Sequence, residues 1–389
     1  MLHVDRNKYY GGSEAAVSLQ EAESWVSEVN KGSCSEFKDA SLWKATEEAP
    51  AAEADESKLA FSRAYSLSLS SPVIYTRSSL LKILISSKIY HQLEFLSVGS
   101  WWVYDALGAS SALPEDNPSG TLKKVPNGRE DVFADKSIDL KSKRLLMVFL
   151  RFVGDYENQT ERWHASAESA LPDFLTSEFG IPDTMQTPIL AISMSPKAPT
   201  KTTVADALPN IARHLRSIGV FGPGFGAVTP RWGGAGEICQ VACRAGAVGG
   251  GVYMLGTGVE SITALSKDDE STLATEVNLR NGEKVKVRWV VGSSTDLPPP
   301  TTSISTNETR TYHLITIVAS TLSALLPVTA EGAPPPAGAV VVFPTGSVSV
   351  DGLTASETPP IYTILHSSDT GECPQGQSKP PFFSSTLAN

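Results

Sequence analysis

The chain has 389 residues, 41% hydrophobic and 19% charged, with a formal net charge of −10. That length can bury more than one core, so two domains are expected. An acidic balance of this size excludes nucleic acid and anionic membrane as primary partners and suits a partner with a basic surface.

Chemistry-bearing patterns are sparse. Cys34, Cys239, Cys243 and Cys373 keep neither disulfide nor zinc spacing, and the six histidines are scattered. No GxSxG, HExxH or phosphate-loop pattern occurs, so no enzyme, metal site or cofactor site is expected. The most apolar stretch, 313–327, is broken by Thr and Ser, and no run reaches the roughly 20 apolar residues of a membrane helix. Asp5 and Arg6 come too early for a signal peptide, which points to a cytoplasmic protein with chance sequons at Asn158 and Asn307.

Residues 1–5 read as a buried strand ending in an acid. The turn Tyr9-Tyr10-Gly11-Gly12 would present Tyr10 outward. Residues 45–58 are rich in Ala and Glu without large apolar groups, so they are predicted to be an acidic disordered insertion. Helices are expected at 79–86 and from 88, a strand at 98–104 and a turn-rich connection at 114–120. Helical patterns then follow at 129–136, 140–156, 166–179, 183–193 and 204–218. Leu145, Leu146, Val148, Phe149, Leu150 and Phe152 occupy nearly the whole circumference of the second, which places it at the centre of the bundle. After the glycine-rich crossing at 221–226 comes RWGGAGEICQVACRAGAVGGGVYML, 231–255. Its middle, 236–247, predicts a helix with Glu237, Gln240 and Arg244 on one stripe, and Glu237 and Arg244 about 10 Å apart. Asn281-Gly282 sits between two alternating runs and predicts a hairpin over 275–291. Strands are expected at 312–318, 339–343 and 361–365, and a frayed tail over 374–389.

Two of these stretches resemble the signature regions of the Rab GDP-dissociation inhibitor and Rab escort protein superfamily. They are Asp5-Arg6-Asn7-Lys8-Tyr9-Tyr10-Gly11-Gly12 and the run from Glu237 through Arg244 to Met254, and the likeness extends over 1–20 and 90–375. It implies an α/β (α+β) fold: a flavoprotein-like, multi-sheet Rab-binding domain over 1–122 and 222–389, with an all-helical domain inserted at 123–221. It also implies that the chain begins after the family's first strand and stops short of its last elements. A dinucleotide site needs that first strand and its glycine-rich turn, so a flavin-dependent oxidoreductase is the least favoured reading.

By resemblance, Tyr10, Glu237, Arg244 and Met254 grip a Rab GTPase, and the helical domain takes the geranylgeranyl lipid of the Rab. The stretch 125–133 and Lys143-Arg144 resemble the escort branch in its fungal form. Phe133 and Arg144 are then expected to dock the alpha subunit of Rab geranylgeranyl transferase. The implied function is a non-catalytic accessory that binds GDP-bound Rab, presents it for prenylation and delivers it to membranes by transient contact. The alternative is an inhibitor that recycles prenylated Rabs.

Overall fold

The structure is a computed structural model that describes residues 1–32, 36–44, 59–106, 120–136, 138–264, 275–293, 296–298, 309–348, 354–356 and 358–387. The predicted insertion at 45–58 lies outside the described residues, as do Cys34, Asn307 and nearly all of 114–120. Two compact units are present. The first comprises Met1–Ser71, Ile89–Leu93 and Trp232–Asn307, and the second Pro72–Lys88, Glu94–Arg231 and Glu308–Asn389.

In the first unit, strand Leu2–Asp5 runs parallel to Val252–Leu255, with His3 opposite Tyr253 and Val4 opposite Met254. The helix Ala235–Val248 leads into the second of these strands. A helix absent from the sequence reading, Leu19–Asn30, starts at a capping box: Ser18 accepts from the Glu21 N–H, and Glu21 accepts from the Ser18 N–H. The predicted hairpin is present as Thr275–Leu279 and Lys284–Val287, joined by Val259–Ala264 into a three-stranded antiparallel sheet with Val277 and Leu279 buried. Its return strand stops at Val287 rather than reaching 291.

The second unit is built on a mixed sheet. Its main path runs Thr309–Ile315, Pro381–Leu387, Ile361–Ser367, Gly338–Phe343, Phe95–Asp105, Ala227–Pro230 and Ile74–Tyr75. Gly338–Phe343 is parallel to Phe95–Asp105, and the other pairings are antiparallel. Helices Arg129–Ala134, Leu140–Val153, Leu171–Phe179, Asp183–Ser193 and Val204–Ser217 belong to the same unit. Phe149, Phe152, Phe174 and Phe179 form a ring-on-ring cluster whose core continues through Leu208 and Ile211 to Val98, Trp101, Val340 and Tyr362 of the sheet. Grouping by packing thus differs from the predicted partition into 1–122 with 222–389 and 123–221.

Two expectations are corrected. The Leu140–Val153 helix is buried on one face only. Phe149, Phe152 and Val153 point inward, whereas Leu140 and Val148 are exposed, so Val148 is not a core residue. The predicted frayed tail instead forms strands Ser378–Lys379 and Pro381–Leu387, paired to Ile361–Ser367 and Thr309–Ile315. Its backbone hydrogen bonds are satisfied by the sheet. Lys379 is also fully buried, with its Nζ 3.0 Å from Glu372 Oε2, and His366 Nδ1 donates to that same oxygen. Neither pairing is visible in a Pro-bearing, aperiodic sequence.

Candidate functional site

The helix Ala235–Val248 organises the candidate surface. Its first turn closes through Gly236 N–H to Gly233 C=O and Glu237 N–H to Gly234 C=O. Glu237 lies in that turn, where a carboxylate complements the positive end of the helix dipole. Burial raises its carboxyl above the ordinary value, and Arg244 pulls in the opposite direction. Toward the strand pair the helix presents Cys239, Cys243 and Gly246. A Cβ on Gly246 would fall 2.0 Å from the Tyr253 hydroxyl, so the glycine leaves the space that the tip of this ring occupies.

Tyr10 sits on this strand-facing side. Its ring lies 5.3 Å from His3 and edge-on to Tyr253 at 5.9 Å. Burial, reinforced by Cys243, Tyr253, Cys239 and Asp5, pushes its phenol up to about 12. The tyrosine is half-buried, its ring resting on His3 and Tyr253. Glu237 and Arg244 share the opposite stripe, with exposed Gln240 between them. Met254 is half-buried and, by strand alternation, lies with Val4 on the face away from His3 and Tyr253. Glu237 and Arg244 thus share one stripe of the helix, Tyr10 packs on His3 and Tyr253 of the strand pair, and Met254 lies on the other face of that pair.

In the second unit, Phe133 is 57% exposed on its short helix while its neighbour Val132 is buried. The buried Lys143 donates from Nζ to the Phe133 carbonyl at 2.9 Å, which ties that helix to Leu140–Val153. Arg144 is exposed, and Leu140 and Val148, four residues to either side, are exposed with it. The sequence reading missed those two because it counted the helix as buried all round. The i−4 and i+4 spacing about Arg144 was the available signal.

Among the described residues, no group of three or more His, Cys, Asp or Glu is placed to hold a metal, and no helix is long and apolar enough to cross a membrane. Asp5, at the strand end where a dinucleotide fold carries its ribose-binding acid, accepts from the Asn7 N–H at 2.8 Å and so stabilises its own turn.

The mixed α/β arrangement is shared with solved proteins. It superposes on the crystal structure of Rab GDI from Plasmodium falciparum with a TM-score of 0.63 at 18% identity, covering 100% of this chain and 77% of that one. It also matches an oxidoreductase from Methanosarcina mazei with a TM-score of 0.50 at 11% identity, covering 84% and 69%. At these identities the likeness concerns the fold.

Sequence narrows the class. The family model described as GDP dissociation inhibitor matches residues 1–322, and the chain belongs to that family. It is similar to "Rab proteins geranylgeranyltransferase component A" of Saccharomyces cerevisiae, 31% identical over 377 residues, covering 97% of this chain and 56% of the relative. The protein of the same name from Candida albicans is 28% identical over 396 residues, covering 100% and 55%. The chain thus spans just over half the length of these relatives.

Proposed function

We propose that this chain is a non-catalytic accessory of Rab prenylation. It binds GDP-bound Rab GTPases, presents them to Rab geranylgeranyl transferase, and carries the lipidated product to membranes from the cytoplasm. Family membership supports the GTPase-binding part. The observation that favours the escort reading over a recycling inhibitor is the exposed Phe133 with Arg144, Leu140 and Val148 outward on the adjoining helix. A large aromatic standing in solvent beside an arginine is the chemistry of an interface anchor.

In this reading Glu237 and Arg244 hold the GTPase through charge pairs, and the half-buried Tyr10 and Met254 complete the grip. Phe133 and Arg144 dock the alpha subunit of the transferase, and the helices behind them take the geranylgeranyl lipid.

The test is a capture assay with purified transferase and GDP-loaded Rab. Phe133→Ala should lower transferase capture about 30-fold or more, the scale of an anchor residue, while leaving Rab capture unchanged. Rab capture without any transferase capture by the wild type would favour the recycling inhibitor. Equal transferase capture by wild type and Phe133→Ala would remove Phe133 from the interface.

A further inference from the structure

Ahead of the helix Ala235–Val248, Trp232 adopts φ +78° and is 49% exposed. Left-handed backbone is rare for bulky residues and persists where the surroundings impose it, commonly at a functional surface. Glycine adopts it without cost, and the chain places glycines at the next two positions. The turn is pinned at Gly233: a Cβ there would lie 3.2 Å from Ala16 Cβ, 3.5 Å from Ser66 Oγ and 3.4 Å from Glu237 Oε1. The Glu237 carboxylate therefore folds back over the residue adjoining Trp232. Two further hydrogen bonds, from Gly236 to Gly233 and from Glu237 to Gly234, hold the turn against the helix.

We infer that Trp232 is an additional anchor of the GTPase-binding surface, a role that rests on the function proposed above. The indole takes an apolar side chain of the GTPase while the adjacent Glu237 carboxylate takes a basic one. A ring fixed on a rigid turn loses little freedom on binding, and tryptophan is the residue type most enriched among interface anchors. A tryptophan serving only to shape the turn would be replaceable by glycine without loss of binding.

Affinity for GDP-loaded Rab is measured for Trp232→Gly, Trp232→Phe and Glu237→Ala/Arg244→Ala, each alongside a thermal melt. Trp232→Gly is expected to weaken binding about 30-fold while remaining folded, and Trp232→Phe to recover most of that loss. Trp232→Gly binding like wild type, with Glu237→Ala/Arg244→Ala inactive, would overturn this inference and leave the binding surface standing. Unchanged binding by Glu237→Ala/Arg244→Ala, or no binding by the wild type, would overturn the surface and this inference with it. Should Trp232→Gly fail to fold, wild-type protein carrying 5-fluorotryptophan decides the matter. The fluorine resonance missing from Trp232→Phe should shift or broaden on adding Rab, and an unmoved resonance would refute the anchor.

Discussion

Replacing Lys379 by Met removes one cation from a carboxylate that has no solvent to fall back on. Lys379, Glu372 and His366 are all fully buried. Burial alone would raise the Glu372 carboxyl, yet His366 and Lys379 outweigh it and hold the group down to about 2. At 1.36 kcal/mol per pH unit, the gap from an ordinary 4.5 corresponds to about 3 kcal/mol. That agrees with the roughly 3–5 kcal/mol lost when one partner leaves a buried ion pair. Lys379→Met should therefore lower the melting temperature by about 6–12 °C, read by circular dichroism at neutral pH. Lys379→Met/Glu372→Met should lose less than Lys379→Met alone, because no orphaned charge remains. The folded-state value of Glu372 lies below the unfolded one, so its contribution is complete above pH 4.5 and disappears as pH falls toward 2. A Lys379→Met protein melting within about 2 °C of wild type would show that the trio is not coupled by charge.

Two more outcomes follow from other buried positions. His214 is fully buried against Tyr75 and Trp101, and burial pulls its imidazole down to about 4. Unfolded histidine takes up its proton near 6.5, so this stability is present above pH 6.5 and is lost as pH falls to 4; His214→Phe should flatten that part of a urea-melt pH profile. Gly246→Ala drives a methyl into the Tyr253 hydroxyl and should cost about 1–3 kcal/mol in urea unfolding, and a Gly246→Ala protein as stable as wild type would mean that the Tyr253 ring swings aside freely.

Local pattern carried much of this fold. The helix at 183–193, the strand predicted at 98–104 and the turn at Asn281-Gly282 all appear where periodicity and turn chemistry place them. Strands Pro381–Leu387 and Ser378–Lys379 were hidden because their stability comes from pairing with other strands and from burying Lys379 against Glu372, neither of which leaves a periodic pattern in the segment itself. Leu19–Asn30 buries few apolar groups, Ala22 and Val29 among them, so its periodicity is faint and the capping box was the better signal. At the candidate surface, seven-residue spacing correctly put Glu237 and Arg244 on one stripe. Which side of the helix Tyr10 would meet depends on close packing at Gly246 and Tyr253, which no spacing rule encodes.

The ammonium of Lys143, buried and bonded to the carbonyl of Phe133, has a consequence for mapping this region by mutation. Truncating that lysine would swing the neighbouring phenylalanine without touching any binding partner. Alanine scanning would then flag an interior residue as though it belonged to the contact epitope. Only a paired scan, reading fold and capture together, separates the bracket from the hook it carries.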